Sequence, residues 1–278
     1  MDISVVVPFY NEERYIEGCI KSLLAQNYPD EKYEIIMIDN NSTDRSVPIV
    51  KQYPRVRLLS EAEPGDFAAR NRGIHAASGT IIAFTDADSA PSTEWLPNIA
   101  TAMLNPDIAI IVGSLHFGAA GGLLSLIANY ESEKARYILS GDTRETYFGY
   151  TCNMAVQKTV FDRLGPFPAV YRNSDVIFVR KVVDIYSCDA VCYSPDICVQ
   201  RLEVSNLLRY FCKLHMYGRD FRRYSKIASV RALSNTERLE IFKKTIQKED
   251  CSFAKSLFLF GMLFIGGICY ELGRVRSV

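Results

Sequence analysis

Short apolar runs rich in Val and Ile recur through the first half of the chain, each closing on polar or turn-forming residues. Runs this short and this β-branched read as buried strands. They predict strands over residues 3–8, 34–39, 56–59, 80–85 and 108–113. Between them the apolar positions recur at helical spacing and predict helices over 12–26, 42–53, 67–77 and 93–104. In the first helix Ile16, Cys19, Ile20, Leu23 and Leu24 share one face, and Tyr28-Pro29 lies beyond its end. Ser42-Thr-Asp44 is expected to cap the second. Strand and helix alternating across short connections is the signature of an α/β fold, a mostly parallel sheet covered by helices.

The second half is less regular. It predicts a mixed helix over 123–140, a strand over 152–157, a strongly apolar helix over 174–186 and short strands over 190–193 and 196–199. Amphipathic helices follow over 205–224 and 235–247. The segment 256–270 is uncharged, with Lys255 before it and Arg274 and Arg276 after it. It is shorter than the roughly 20 residues of a membrane span. It can pack on the catalytic domain as an ordinary helix, but together with the basic, aromatic stretch 219–226 it leads us to expect membrane contact through a re-entrant or interfacial helix, with a single spanning helix disfavoured.

Bulk properties narrow the classes. With 278 residues the chain can bury a sizeable core. Lys plus Arg equals Asp plus Glu at 32 each, so no global charge favours nucleic acid, and none is expected as a partner. The start lacks a basic region followed by a long apolar one, so no signal peptide is expected. The eight cysteines are scattered without a Cys-x-x-Cys pair. That pattern fits reduced thiols in a cytoplasmic protein rather than a zinc site or a disulfide framework.

The candidate chemistry starts at Thr80-Ile-Ile-Ala-Phe-Thr-Asp-Ala-Asp88, where an apolar strand ends in two carboxylates. In extended chain Asp86 and Asp88 point to the same side and repel unless something positive sits between them. A hard divalent cation is the economical answer, since Mg2+ is held by one or two carboxylates plus substrate phosphates. Three further features converge on the same rim of a parallel sheet: Val7-Pro-Phe-Tyr-Asn-Glu12, Asp39-Asn-Asn-Ser-Thr-Asp44 and Arg70-Asn-Arg-Gly73. Asp39 follows an apolar strand directly and is suited to accept from the ring N–H of a nucleobase. The Arg70 fork suits phosphate oxygens. Gly73 would permit close helix–strand packing.

In order and spacing these segments resemble the motif series of glycosyltransferase family 2, inverting enzymes of the GT-A fold that use nucleotide-sugar donors. The likeness spans about residues 1–200. It implies a GT-A catalytic domain over 1–203, with a nucleotide-binding half over 1–113 and an acceptor half over 114–203. A helical extension would occupy 204–278. It further implies that Pro8, Tyr10 and Glu12 line the nucleotide pocket, with Asp39 reading the base and Asn41 beside it. Arg70 would lie near the nucleotide and its phosphates, and Asp88, with nucleotide-binding Asp86 acting through the ribose or a water, would hold Mn2+ or Mg2+ against the diphosphate.

On the acceptor side, 149–167 is similar to the family's acceptor segment, with Asn153 inside it. Arg172-Asn-Ser-Asp175 stands where the family carries a Glu-Asp pair at a helix start. Asp175 matches the catalytic base, while Ser174 replaces the usual Glu. Where relatives often have a His, this chain has Gln200 and Arg201, so a His-dependent contact is absent or replaced by Arg201.

The implied reaction is a hexosyltransferase-type single displacement. Its donor would be a UDP-sugar and its acceptor a glycan or lipid-linked hydroxyl, in polysaccharide assembly on the cytoplasmic face of a membrane. A catalytically degenerate nucleotide- or glycan-binding relative is the main alternative. A nucleotidyltransferase is disfavoured because Phe9-Tyr-Asn-Glu-Glu-Arg stands where a Gly-rich phosphate loop belongs. A dehydrogenase is disfavoured because no Gly-x-Gly-x-x-Gly follows a strand.

Overall fold

The computed structural model describes residues 2–117, 123–140, 149–168, 173–201, 207–228 and 233–275. The chain forms two compact units, Met1–Leu115 with Phe148–Glu203, and His116–Tyr147 with Val204–Val278. Residues 116–147, which the sequence reading grouped with 1–203, therefore cluster with the second unit.

The first unit opens with β1 (Ile3–Phe9), α1 (Ile16–Leu24), β2 (Tyr33–Asp39), α2 (Ser46–Val50), β3 (Val56–Ser60) and α3 (Asp66–Ala76). It continues with β4 (Ile81–Thr85), β5 (Ser89–Pro91), α4 (Trp95–Ala102) and β6 (Ile110–Phe117). Helix α5 (Leu123–Ser140) lies in the second unit. Then come β7 (Asn153–Gln157), α6 (Lys158–Leu164), α7 (Ser174–Ile185) and β8 (Val191–Arg201). The described strands form one sheet in the order β3-β2-β1-β4-β7-β6-β8-β5.

Strands β3, β2, β1 and β4 are parallel, whereas β4–β7, β6–β7 and β5–β8 are antiparallel, so the sheet is mixed. Strand order reverses between β1 and β4, the switch point outside which ligands of α/β sheets bind. All seven residues of β1 are buried, as expected of a central parallel strand. Pro8 is tolerated there because the β1–β4 ladder stops at Val6↔Phe84. Phe9 turns its carbonyl toward Asn40 on the β2 side, so Pro8 faces the side where no donor is needed.

Several boundaries differ from expectation for local reasons. Ser42 does not cap α2, whereas Asp44 Oδ1 accepts from the N–H of its first residue, Ser46, at 2.9 Å. The Asn11 N–H donates to Ser42 Oγ (3.1 Å) and the Glu13 N–H to Asp44 Oδ2 (3.0 Å), stitching the loop after β1 to the loop after β2. The same bonds hold residues 11–13 out of α1, which therefore starts at Ile16. Strand β8 is one continuous strand rather than two short ones. Its Pro195 lies beyond the three residues, Val199 to Arg201, that pair with β5. Gly73 behaves as expected, since a Cβ there would collide with the Val6 and Ile38 side chains.

The second unit holds α5, α8 (Leu207–Ala228), α9 (Asn235–Lys248) and α10 (Phe253–Val275). A capping box between Ser234 and Glu237 starts α9. Helices α8 and α10 pack closely: a Cβ on Gly218 would strike the Tyr270 carbonyl, and one on Gly273 the His215 carbonyl. Leu126, Ile127, Tyr130, Ile241 and Leu259 form the buried cluster of this unit. At 23 residues α10 is longer than the 256–270 segment, and long and apolar enough to cross a membrane.

Candidate active site at the carboxyl edge of the sheet

The chain leaving β4 does not stay extended. The Ser89 N–H donates to Asp86 O at 3.1 Å and closes a tight turn across Asp86-Ala-Asp88. Both carboxylates nevertheless meet on one guanidinium. Arg201 Nη1 donates to Asp86 Oδ2 at 2.9 Å and Nη2 to Asp88 Oδ2 at 2.7 Å. Antiparallel pairing of Ser89 with Arg201 sets this geometry by holding the end of β8 opposite the turn. Ser89 Oγ donates to Asp88 Oδ1 at 3.3 Å.

A second arginine lies beneath the first. Arg70, on α3, is 4% exposed, and its Nη2 donates to Asp86 Oδ1 at 2.6 Å. Its guanidinium also stands 5.0 Å over the Phe67 ring. Burial alone would raise the Asp86 carboxyl, but Arg70 and Arg201 outweigh it and hold the group below the usual carboxylate range. Arg70 is thus a buried partner of Asp86.

Asp175 sits in the first turn of α7, just after Asn173 in the left-handed region (φ 60°). Its Oδ1 accepts from the Val176 N–H at 2.9 Å and its Oδ2 from the Thr151 N–H at 3.4 Å. Burial pushes its carboxyl up to about 6, against the pull of Arg70 and these two N–H groups. Asp175 and Asp86 therefore share the field of one arginine. The buried Cys152 thiol is pushed up to about 12, by burial first and then by Asp86.

At the β1 and β2 ends, Tyr10 is 57% exposed, Glu12 is half-buried and Pro8 is buried within β1. The Glu12 N–H donates to Ser46 Oγ at 2.8 Å. Asp39 Oδ1 accepts from the Ser42 N–H at 3.0 Å. Asn41, with φ 69°, directs its amide N–H groups to the Glu61 and Ala62 carbonyls, so it shapes the loop.

Two acceptor-side expectations are corrected. Asn153 is fully buried; its Oδ1 accepts from Trp95 Nε1 (2.8 Å) and its Nδ2 donates to the Ser114 and Ile197 carbonyls. Its hydrogen-bonding groups are thus engaged within the sheet and its cover. Ser174 is likewise fully buried, and its hydroxyl donates to the Pro168 carbonyl at 2.9 Å. Neither side chain is accessible to an acceptor. Arg172 lies outside the described residues.

Asn11, Asn40 and Asn71, inside the same motif segments, carry structural roles that their sequence positions do not announce. Asn11 Oδ1 accepts from the Thr43 N–H at 2.8 Å, and Asn40 Oδ1 from the Gly65 N–H at 2.7 Å. Asn71 exchanges two hydrogen bonds with the Phe167 backbone. The positive φ of Asn11 is the local signal that such a loop needs an Asn.

The donor chemistry fits a divalent cation. Asp86 and Asp88 offer hard oxygens at the switch point. Among the described residues no group of three His, Cys, Asp or Glu completes a cage made of protein alone. Such a set suits a cation whose remaining ligands come from a diphosphate and water.

The fold is that of GT-A glycosyltransferases. The solved mannosyltransferase PcManGT from Pyrobaculum calidifontis, in complex with GDP-Man and Mn2+, aligns with TM-score 0.62 at 19% identity, over 95% of this chain and 73% of its own. Glucosyl-3-phosphoglycerate synthase from Mycobacterium tuberculosis, in complex with Mn2+, UDP-Glc and phosphoglyceric acid, aligns with TM-score 0.60 at 21% identity, over 83% and 81%. The family model for glycosyl transferase family 2 matches residues 4–173, and the chain belongs to that family. Glycosyltransferase AglE of Haloferax volcanii is 30% identical over 188 residues, 66% of this chain and 61% of AglE. The chain thus spans less than two thirds of that relative's length.

Proposed function

We propose that this chain transfers a sugar, with inversion, from a nucleotide-diphosphate donor, a UDP-sugar, to a hydroxyl of a glycan or lipid-linked acceptor. The observation that carries the reading is the meeting of Asp86 and Asp88 at the switch point of the sheet, where Arg70 donates to Asp86 at 2.6 Å and the buried Asp175 lies in the field of the same arginine. The raised Asp175 carboxyl suits a proton-accepting role, and the acidic turn suits an electrostatic one.

Asp39, Tyr10 and Glu12 form the nucleotide side of the site, and Asp39 keeps its Oδ2 for the base. Asp88 and Asp86 are the residues to hold Mn2+ or Mg2+, which when bound supplies positive charge to the leaving diphosphate. The solved complexes of the mannosyltransferase with GDP-Man and Mn2+, and of the glucosyl-3-phosphoglycerate synthase with UDP-Glc and Mn2+, support this assignment. The acceptor oxygen bonds to C1 on the face opposite the diphosphate. The C1–O bond breaks with its electron pair leaving on the diphosphate, and the hydroxyl proton passes to Asp175. One displacement inverts C1 without a covalent enzyme intermediate.

A lipid surface is part of the proposal. Phe253, Leu257, Phe260, Phe264, Ile268 and Leu272 are exposed at three- and four-residue steps along α10, while its other side packs on α8. Such a stripe suits an interfacial helix at the cytoplasmic face of a membrane. A thermal-shift screen of UDP, GDP, CDP and TDP, with and without Mn2+, tests the nucleotide assignment. Stabilisation by UDP with Mn2+ is expected, and no response to any nucleotide would overturn it.

A further inference from the structure

Arg201 stands where a cation between the two carboxylates would stand. Its guanidinium bridges Asp86 Oδ2 and Asp88 Oδ2, and it is planar, permanently charged and suited to bidentate pairing. Arg70 already neutralises the other oxygen of Asp86. Two carboxylates and two guanidiniums balance, so the cluster is internally compensated without a metal.

A divalent cation arriving alone would have to push Arg201 off both oxygens and leave that guanidinium without an anion. Burial makes this costly, because an uncompensated charge is expensive away from water. A cation arriving with a diphosphate brings the missing anion, onto which the Arg201 fork can turn. The backbone of Arg201 need not move for this. Ser89 pairs with it through the β5–β8 ladder, and only the side chain has to swing.

Resting on the nucleotide-and-metal reading above, we propose that Arg201 is an internal counter-ion whose displacement makes cation uptake by Asp86 and Asp88 conditional on a bound nucleotide diphosphate. Arg201 is then a positioning residue in the free protein and a diphosphate partner in the loaded one. By linkage the coupling is reciprocal, so the cation raises nucleotide affinity by the factor by which the nucleotide raises cation affinity.

The test is Mn2+ titration followed by calorimetry and by the electron paramagnetic resonance of free Mn2+. It uses the full chain alone and the full chain saturated with UDP or with GDP, correcting for Mn2+ bound by free nucleotide. In the wild type the better nucleotide is expected to raise Mn2+ affinity roughly tenfold or more, within the usual range of coupling between sites. Arg201→Gln should bind Mn2+ roughly tenfold more tightly without nucleotide, and most of the coupling should disappear. Arg201→Lys keeps the charge and should keep weak Mn2+ binding in the free protein. Melting curves identify any variant that fails to fold.

Equal coupling in wild type and Arg201→Gln would overturn the role of Arg201 and leave the nucleotide-and-metal reading standing. Absence of any Mn2+ uptake with either nucleotide, in both proteins, would overturn that reading and this inference together.

Discussion

Arg70 donates to Asp86 across 2.6 Å, and its charge also lowers Asp175, the carboxyl assigned as base. One buried side chain on α3 thus ties the acidic turn after β4 to the first turn of α7. Removing one partner of a buried, charge-assisted hydrogen bond costs about 1–3 kcal/mol, and Asp86 keeps Arg201 as its remaining counter-ion. Arg70→Leu should therefore lower stability by about that amount in urea denaturation. It should also move the acid limb of turnover to higher pH, a shift that destabilisation alone would not produce.

Asp175 predicts the direction of two pH effects. As a base it must be ionised, so turnover should fall as pH drops through about 6. Stability runs the other way. The folded-state carboxyl lies above its ordinary value of about 3.9, so its contribution to folding is fully present below that value. That contribution is lost as pH rises through about 6. Asp175→Asn should accordingly be more stable than wild type at pH 8, with the gain fading below pH 4. Melting temperatures across that range check the sign.

Asn153 is predicted to be structural. Asn153→Ala leaves Trp95 Nε1 and the carbonyls of Ser114 and Ile197 without their side-chain partner. Each orphaned buried group costs about 1–3 kcal/mol. The expected result is a large fall in stability, with the KM for any acceptor unchanged in the fraction that stays folded.

Vesicle flotation tests α10. The full chain is expected to float with vesicles containing anionic lipid, and Phe260→Glu with Phe264→Glu should abolish flotation while nucleotide binding persists. Flotation unaffected by both changes would exclude the α10 stripe as the contact.

Much of this was legible because it is local. The helix expected over 123–140 is helical throughout as α5, and the strands before Asp39 and Asp86 follow directly from buried apolar runs. What failed was set by distant partners. Arg201 lies 113 residues from Asp88, and only the β5–β8 register brings them together. Ser42 has the composition of a helix cap, but its oxygen is claimed by the Asn11 N–H, while Asp44 divides its oxygens between the Glu13 and Ser46 N–H groups. Asn153 sits within a recognisable motif, yet it serves Trp95, 58 residues earlier. No periodicity records such pairings.

The most direct test of the central claim is release of nucleotide diphosphate from UDP- and GDP-sugars, measured with Mn2+ in wild type and in Asp175→Asn. Release by the wild type that is lost on chelation, and lost in an Asp175→Asn protein that still binds the nucleotide, is the predicted result. Asp175→Asn turning over at the wild-type rate would contradict it.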